Sequence, residues 1–276
     1  MGAVEAVWTI GALLRESALP RPEAEILLGS ALDYGRSRLI AHPEQPVDAS
    51  KSRLARAWFS RRRSGEPVAY ITGWREFYGI ALHVSPDVLI PRPQTELLVD
   101  LALERLRPGC PARVLELGTG SGAICVALAS QRPDLTITAT DISEAALVVA
   151  RRNAQEHAVE IDFVQSDWLE SIGDSFDLIL ANPPYVAAGD PHLERGDLRF
   201  EPRLALVGGD DGLDCIRRIA TDARERLRPG GRLFVEHGYD QGELCAGLLR
   251  RLDFAEVDDF QDLAGMPRVC VAAWRG

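Results

Sequence analysis

A regular alternation of short apolar strands and helices begins near residue 113 and constrains the fold more than any other feature of this sequence. Parallel strands need long crossover connections, which are usually helices, so this alternation predicts an open α/β sheet with helices on both faces. The predicted strands are Arg113–Leu117, Leu135–Thr140, Ile161–Val164, Phe176–Ala181, Arg232–Val235, a segment near Ala255, and Arg268–Trp274.

The first 73 residues follow a different pattern, in which apolar residues recur at helical spacing. The predicted elements are helices that include Val7–Leu14, Glu25–Leu32 and Ala49–Arg63, then a strand-like stretch at Pro67–Gly73 and a hairpin over Trp74–Val84. We therefore expect three parts: a helical domain over residues 1–73, a β-hairpin linker over residues 74–90, and an α/β domain over residues 91–276.

Composition excludes several classes of protein. Apolar residues make up 46% and charged residues 26% of the 276 residues, as in ordinary globular proteins. No apolar run approaches the roughly 18 residues of a membrane span. The net charge is −10, and the excess of acidic residues lies after residue 73. This charge argues against non-specific binding to the phosphates of nucleic acid. Scattered cysteines and histidines predict reduced thiols, no metal site and a cytoplasmic location.

The segment that leaves the first predicted strand is rich in glycine and opens the first helix after it. Glycines let the backbone turn sharply and approach a ligand, and the helix N-terminus offers free N–H groups. The glycine spacing is tighter than in dinucleotide-binding loops, and a carboxylate at the strand end would repel a phosphate but suit an ammonium group. We therefore expect S-adenosylmethionine as the cofactor, held by Glu116, Gly118, Thr119, Gly120, Ser121 and Gly122.

Three more candidate cofactor residues follow the second and third strands. Asp141 lies about 20 residues beyond the glycine loop, where a carboxylate can accept hydrogen bonds from both ribose hydroxyls. A helix N-cap is the alternative role for Asp141, although Ser143 could also serve as that cap. Asp167 could bind the exocyclic amine of adenine and Trp168 could stack on the base, the alternative being a core tryptophan.

The fourth strand is followed by Asn182-Pro183-Pro184-Tyr185. Proline has no N–H group, so two prolines leave this loop with carbonyl acceptors and few donors. The side-chain oxygen of Asn182 adds an acceptor, and Tyr185 offers a flat face for packing. Ligands of open α/β sheets bind at the carboxyl ends of strands. The loop therefore predicts a site for a planar amine, either a carboxamide or the exocyclic amine of adenine or cytosine.

With these motifs in place, the chain resembles the release-factor glutamine methyltransferases over nearly its whole length. The Asn-Pro-Pro-Tyr motif alone is shared with DNA and RNA amino-methyltransferases, so other segments carry the specificity of the resemblance. These segments are Arg75–Gly79, Val84–Pro86, Leu89–Glu96, Gln165–Trp168, Asp190–Leu193, Gly196–Pro202 and Glu236–Gly238.

The resemblance implies a Rossmann-like class I methyltransferase domain with a seven-stranded, mostly parallel sheet, preceded by a small helical bundle and the hairpin linker. It implies that the substrate is the glutamine in the Gly-Gly-Gln motif of class 1 peptide-chain release factors. The expected products are N5-methylglutamine and S-adenosylhomocysteine. The helical domain then serves to dock the protein substrate, and we expect a monomer.

An amide nitrogen is a poor nucleophile because its lone pair is delocalised into the carbonyl. We expect the side-chain oxygen of Asn182 and the carbonyl of Pro183 to accept the two N–H protons and direct the lone pair, with Tyr185 as the third catalytic residue. Glu236 and His237 are candidates for proton removal or for structural roles. The residues expected to bind the substrate are Asn182, Pro183, Pro184, Tyr185, Phe77 and Arg92.

Four alternatives remain at this stage. A ribosomal-protein glutamine methyltransferase would share the core and the Asn-Pro-Pro-Tyr loop. A nucleic-acid amino-methyltransferase predicts a basic face and a target-recognition domain, which an acidic core and a small N-terminal part do not supply. A regulatory protein that binds the cofactor without catalysis would have no need of an intact Asn182. A dehydrogenase conflicts with the glycine spacing.

Overall fold

The computed structural model describes residues 8–276, so Val7, at the start of the predicted first helix, lies outside the described residues. The helix begins at Ile10, because Trp8 and Thr9 form a short strand. The chain forms two compact units. The first comprises the described residues up to Trp74 together with Glu194–Phe200, and the second comprises Arg75–Leu193 and Glu201–Gly276. No helix among the described residues is long and apolar enough to cross a membrane.

The first unit is built mainly from helices. Thr9 accepts a hydrogen bond from the backbone of Ala12 and so caps the first helix, and Asp48 caps the longest helix in the same way. The apolar faces of the helices in this unit enclose a core that includes Leu27 and Phe59. The elements are β1 (Trp8–Thr9), α1 (Ile10–Glu16), α2 (Arg21–Leu32), α3 (Arg36–Ala41), β2 (Pro46–Val47), α4 (Ala49–Arg63) and α5 (Val68–Thr72).

The prediction of a strand-like stretch at Pro67–Gly73 is wrong, because this segment contains helix α5. The short apolar run does not distinguish a strand from a buried helical turn. Proline just before the first helical residue and glycine just after the last one are the local signs of a short helix. Tyr70 and Ile71 are buried there, so the turn is held by packing.

Arginines at the end of α4 are used within the first unit. Arg62 donates to both carboxylate oxygens of Glu23, at 2.7 and 3.0 Å, and to Asp197 at 2.8 Å. These bonds raise the pKa of Arg62 further above its usual range, against the opposing effect of burial. Arg199 donates to the carbonyl of Ser64 at 2.9 Å. The segment Glu194–Phe200 is therefore anchored on this helix end.

The second unit contains the predicted seven-stranded sheet, in the order β10-β11-β9-β8-β5-β6-β7. Strands β5 to β9 run parallel, and β11 pairs antiparallel with both β9 and β10. The mostly parallel sheet is confirmed. The strands are β5 (Arg113–Leu117), β6 (Thr136–Asp141), β7 (Asp162–Gln165), β8 (Phe176–Ala181), β9 (Leu227–Glu236), β10 (Ala255–Gln261) and β11 (Pro267–Ala273).

Helices cover both faces of this sheet. One face packs against α6, α7 and α8, and the other against α9 and α10. Successive residues of a strand point to opposite faces, so Val114 lies in the first core and Leu115 in the second. The helices are α6 (Glu96–Arg105), α7 (Ala123–Gln131), α8 (Glu144–Glu156), α9 (Asp214–Ala223) and α10 (Gly242–Arg251), of which α6 and α10 were not predicted from the sequence.

A two-stranded hairpin precedes the sheet, with β3 (Trp74–Phe77) and β4 (Ile80–His83). Its turn residues, Tyr78 and Gly79, both have positive φ angles, as a two-residue turn with the twist of a hairpin requires. The buried side chain of Asn153 on α8 bonds to both the N–H and the carbonyl of His83. The hairpin is thereby attached to the helical layer of the second unit.

Candidate active site

A cavity of about 260 Å³ opens at the carboxyl edge of the parallel strands. The loops after β5, β6, β7 and β8 all line it, together with the segment before α6. This is the position at which open α/β sheets bind ligands. Predicted site residues that line the cavity are Arg92, Glu116, Gly118, Thr119, Gly120, Ser121, Asp141, Asp167, Trp168, Asn182 and Pro184.

Glu116 organises the glycine loop. Its Oε2 accepts bonds from the hydroxyl of Thr119 at 2.8 Å and from the backbone N–H of Cys125 at 3.0 Å. Burial raises the pKa of this carboxyl to about 7, against the hydrogen bonds that stabilise its ionised form. The carboxyl thus holds the loop and still reaches the cavity wall, where a cationic ligand group would favour its charged form.

Gly118 allows a close contact between two cavity loops. It has a φ of +68°, and a Cβ added to it would lie 3.3 Å from a ring carbon of Trp168. A side chain at position 118 would therefore press on the indole ring. Gly122, by contrast, is the residue just before α7 and does not line the cavity, although we predicted it as a cofactor residue.

Asp141 lies at the end of β6 and is tied to the glycine loop. Its Oδ2 accepts from the N–H of Gly120 at 2.9 Å, and its Oδ1 from that of Ser143 at 2.9 Å. The cap of α8 is Ser143, whose hydroxyl accepts from the backbone of Ala146. Burial raises the pKa of Asp141. Each carboxylate oxygen can accept a second bond, so the carboxyl can still receive hydroxyl donors from a ligand.

Asp167 and Trp168 line the cavity after β7. Arg218 on α9 donates to Oδ2 of Asp167 at 2.8 Å, a contact that the sequence did not indicate. The other carboxylate oxygen remains for an amine donor. Trp168 has a φ of +52°, uncommon for an aromatic residue, and its ring lies beside Gly118. Two adjacent residues thus present an acceptor and a flat ring to the same cavity.

The Asn182–Tyr185 loop is connected to buried groups behind it. Asn182 donates through Nδ2 to the hydroxyl of Thr95 at 3.1 Å, and the hydroxyl of Tyr185 donates to Oε1 of Glu236 at 3.2 Å. Gln241 donates to the carbonyl of Tyr185 at 3.0 Å, so this carbonyl is already bonded. The sequence analysis did not identify Thr95 or Gln241, because each lies far along the chain from the residue that it bonds to.

Tyr185 and Pro183 were predicted as catalytic residues, but neither lines the cavity. The ring of Tyr185 packs against the core between the sheet and α9 and α10. Burial raises the pKa of its hydroxyl further above its usual value, with the charge of Glu236 as the next cause. In this structure Tyr185 supports the loop from behind and offers no face to the cavity.

The two other predicted substrate residues have different surroundings. Arg92 lines the cavity and bonds to the buried carboxylate of Glu201, which also accepts from the backbone N–H of Ile90 at 3.1 Å. Phe77 is 1% exposed and belongs to the core beside α6 and α7. The structure therefore does not place Phe77 at the cavity, because its position in β3 turns the ring toward the helices.

His237, Asp259 and Cys270 form a group whose side chains could hold a metal ion, where the sequence predicted no metal site. Nε2 of His237 lies 3.1 Å from Oδ1 of Asp259, and Nδ1 lies 2.8 Å from the carbonyl of Gly238. Burial lowers the pKa of His237, but hydrogen bonds to Cys270 and Gly238 outweigh it and raise this pKa to about 9. The group is thus a cluster around an imidazole whose pKa is raised by its hydrogen bonds.

The fold and the cavity together define the class of protein. A parallel sheet with a glycine loop after β5, a carboxylate after β6 and an acceptor-rich loop after β8 is the arrangement of a class I methyltransferase that uses S-adenosylmethionine. Residues 94–195 match the methyltransferase small domain, and residues 5–73 match the PrmC N-terminal domain.

Similar proteins support the same class and narrow it. The release factor glutamine methyltransferase of Bordetella pertussis is 48% identical, over 93% of this chain and 96% of that protein. A solved methyltransferase from Pyrococcus furiosus aligns with a TM-score of 0.56 at 21% identity, over 79% of this chain and 97% of that one. The Thermus thermophilus 16S rRNA N2 G1207 methyltransferase, solved with AdoMet and guanosine, aligns with a TM-score of 0.54 at 24% identity, over 73% and 50% of the two chains. This chain belongs to the release factor glutamine methyltransferase family.

Proposed function

We propose that this protein transfers a methyl group from S-adenosylmethionine to the side-chain amide nitrogen of the glutamine in the Gly-Gly-Gln motif of class 1 release factors. Family membership supports the substrate. The observation that carries the chemistry is the orientation of Asn182, whose Nδ2 donates to Thr95 and whose Oδ1 is therefore the acceptor end of the amide. A carboxamide NH₂ group needs such an acceptor.

The residues around the cavity fit the cofactor. Asp141 would hold the ribose hydroxyls, Asp167 and Trp168 the adenine, and the loop from Glu116 to Ser121 the methionine end. The cofactor supplies an activated methyl group bonded to a sulfonium. The chain contributes a carboxylate for the ammonium group and a cavity whose lining is mostly apolar. Such a lining favours a reaction in which a charge disappears.

The chain activates the glutamine amide by positioning it. The side-chain oxygen of Asn182 would accept one N–H of the amide and direct the nitrogen lone pair. The carbonyl of Pro183, predicted as the second acceptor, belongs to a residue that does not line the cavity. The amide nitrogen would take the methyl group as the sulfonium of the bound cofactor releases it, and would lose one proton. Holding reactants in such a geometry can supply roughly 7–11 kcal/mol of the barrier. S-adenosylhomocysteine is the other product.

The remaining features of the proposal concern the partner. The helical part over residues 1–73 would dock the release factor, with the hairpin at residues 74–90 as linker and residues 91–276 as the catalytic domain. The protein would act as a monomer in the cytoplasm, where release factors work, without binding nucleic acid or a membrane. Arg92 at the cavity wall and Pro184 would contact the substrate loop.

Methyl transfer from radiolabelled S-adenosylmethionine to purified release factor tests this function. We expect label on the wild-type factor and none on a factor whose Gly-Gly-Gln glutamine is changed to asparagine. Labelled ribosomal protein or nucleic acid, with unlabelled release factor, would keep the methyltransferase class and refute the substrate.

A further inference from the structure

Three side chains that carry different metal-binding atoms meet outside the cofactor cavity. His237 directly follows β9, Asp259 lies on β10 and Cys270 lies on β11, and these strands are neighbours in the sheet. The imidazole nitrogen, the carboxylate oxygen and the thiol sulfur all lie within 4.8 Å of one another. None of the three residues lines the cavity, so methyl transfer does not explain why they meet.

The backbone of the sheet fixes the positions of these residues. Asp259 and Cys270 are directly opposite each other in the antiparallel pair of β10 and β11, and such partners have Cβ atoms about 4.5–5.5 Å apart. The backbone N–H of His237 donates to the carbonyl of Arg268 on β11 at 2.9 Å. A group of side chains that is held on strands keeps its geometry better than one on loops.

The imidazole of His237 is oriented by a bond on its far side. Its Nδ1 lies 2.8 Å from the carbonyl oxygen of Gly238, which can only accept, so Nδ1 carries the proton of that bond. Nε2 therefore faces Oδ1 of Asp259, at 3.1 Å. Histidines that bind metal ions usually donate their other ring N–H to a carbonyl or carboxylate in this way, which directs a lone pair toward the ion.

The surroundings of Nε2 attract positive charge. Burial lowers the pKa of His237, but its interactions with Cys270, Gly238 and Asp259 outweigh burial and raise this pKa to about 9. The position beside the carboxylate and the sulfur thus favours a cation. A proton on Nε2 supplies that charge in one state of the group, and a metal ion that displaces the proton supplies it in another.

The distances between the ligand atoms suit a small ion. Zinc binds histidine nitrogen and carboxylate oxygen at about 2.0–2.2 Å, so the 3.1 Å between Nε2 and Oδ1 corresponds to an angle of roughly 95–100° at the ion. The side chain of Asp259 is 26% exposed, whereas that of His237 is fully buried. An ion would therefore enter from solvent past Asp259.

We propose that His237, Asp259 and Cys270 bind one zinc ion, with water as the fourth ligand. Imidazole, carboxylate and thiolate are the zinc ligands of proteins, and a site with three of them leaves one position for water. Zinc displaces the thiol proton of Cys270 and any proton on Nε2 of His237, and these protons pass to solvent. The bound ion joins three neighbouring strands and stabilises the antiparallel side of the sheet. The site is independent of the proposed function.

Cobalt(II) tests this site, because it binds to the ligands of zinc and gives coloured complexes. We expect the full chain, kept reduced and titrated with cobalt chloride, to bind one equivalent. A sulfur-to-cobalt charge-transfer band in the near ultraviolet and the visible bands of a tetrahedral ion should appear together, and added zinc should remove both. A titration without a charge-transfer band would overturn the proposal.

Cys270→Ser and Cys110→Ser separate the proposed site from adventitious binding by a thiol. Cys270 is buried, whereas Cys110 is exposed. Cys270→Ser should lose the charge-transfer band and weaken cobalt binding by more than the roughly 10- to 100-fold that follows loss of an outer-sphere partner. Cys110→Ser should keep the band and the affinity. A band that survives in Cys270→Ser would refute the assignment.

Asp259→Asn and Asp258→Asn form a second pair, and both positions are exposed, so neither change threatens the fold. Asp258 is opposite Val271 and points to the other face of the sheet. Asp259→Asn should weaken cobalt binding, and Asp258→Asn should leave it unchanged. Equal effects in the two variants would show that the carboxylate of Asp259 is not a ligand.

Gly242→Ala keeps all three ligands and displaces one of them. A Cβ added to Gly242, the first residue of α10, would collide with Oδ2 of Asp259, whereas a Cβ added to Gly247 on the same helix meets only the end of the Arg251 side chain. We expect weaker cobalt binding in Gly242→Ala and wild-type affinity in Gly247→Ala. Equal affinities would contradict the proposed geometry.

Thermal denaturation measures the stabilising role. Zinc should raise the melting temperature of the wild type and of Asp258→Asn, but not that of Cys270→Ser, and an equal rise in all three would refute the role. The Kd for S-adenosylmethionine should be the same in every variant, which shows that each is folded. A chain that methylates no release factor but binds cobalt as described would keep this inference and lose the proposed substrate.

Discussion

At the scale of single residues, the site depends on groups whose environment changes their chemistry. Asn182 is an ordinary polar residue in the sequence, but its bond to Thr95 leaves one end of the amide as an acceptor for the cavity. Glu116 is a carboxylate in an enclosed loop, and burial raises its pKa to about 7. Both residues exchange solvent contact for fixed hydrogen bonds.

Asn182→Leu should abolish most methyl transfer, because leucine keeps the approximate size and removes the acceptor oxygen. Loss of one positioned hydrogen-bonding group in an active site typically lowers kcat by about 10²- to 10³-fold. Single-turnover transfer to release factor would measure the loss, with Kd for S-adenosylmethionine from calorimetry as control. Near-normal transfer would show that Asn182 does not hold the amide.

Glu116→Gln should stabilise the protein at high pH when no cofactor is present. The folded-state pKa of Glu116 lies above its usual value of 4.5, so the folded state binds this proton more tightly than the unfolded state does. The stability that results from this tighter binding is lost as pH rises through about 7. The melting temperature of Glu116→Gln minus that of the wild type should therefore increase from acidic to mildly alkaline pH. A difference that is constant or falls with pH would show that Glu116 is not a buried carboxyl with a raised pKa.

At the scale of elements, strand ends and the loops after them position the site. The glycine loop after β5 donates a hydrogen bond from Gly120 to Asp141 at the end of β6, and Gly118 lies against the Trp168 ring after β7, so three neighbouring loops support each other. The hairpin turn at Gly79 uses a similar backbone conformation, with a φ of +75°, and nothing lies within 4 Å of a Cβ added there.

Gly118→Ala and Gly79→Ala should therefore differ in their effect on cofactor binding but lose similar stability through backbone strain. Each alanine would adopt a left-handed conformation, which costs about 1–2 kcal/mol of stability. Only the alanine at position 118 presses on Trp168, so only this variant should bind S-adenosylmethionine more weakly, by calorimetry, and change tryptophan fluorescence. Equal cofactor affinity in the two variants would show that the Gly118–Trp168 contact does not matter.

At the scale of the whole molecule, the chain does not divide into consecutive units. After the acceptor loop, the segment Glu194–Phe200 belongs to the first unit, and the chain then returns to the second, where Glu201 bonds to Arg92. Arg62 is the central anchor of this segment within the first unit, since its guanidinium bonds to both Glu23 and Asp197.

Arg62→Met should release this segment, because it leaves two carboxylates without their partner while keeping an apolar stem. Trypsin can cut at Arg195 and Arg199, so we expect faster cleavage there in limited proteolysis analysed by mass spectrometry. Arg61→Met is the matched control, since Arg61 bonds to Glu66 and not to the segment. Unchanged cleavage at Arg195 and Arg199 would mean that other contacts hold the segment.

The sequence by itself determined the α/β class, the bounds of most strands and the positions of the ligand-binding loops. Phe176–Ala181 and Arg113–Leu117 are found as predicted, because an apolar run bounded by turn residues encodes a buried strand locally. The glycine loop, Asp141 and Asn182 were predicted for the same reason: a strand end in a parallel sheet is a ligand position whatever surrounds it.

Only the tertiary structure decided what those residues touch. Asn182 and Thr95 are 87 positions apart, and Arg92 and Glu201 are 109 apart, so no local pattern could indicate either pair. Phe77 resembled a pocket residue and is instead core, because the burial of a side chain depends on the helices that pack over it. Local periodicity specifies elements, whereas hydrogen-bond partners, burial and shifted pKa values arise when distant segments meet.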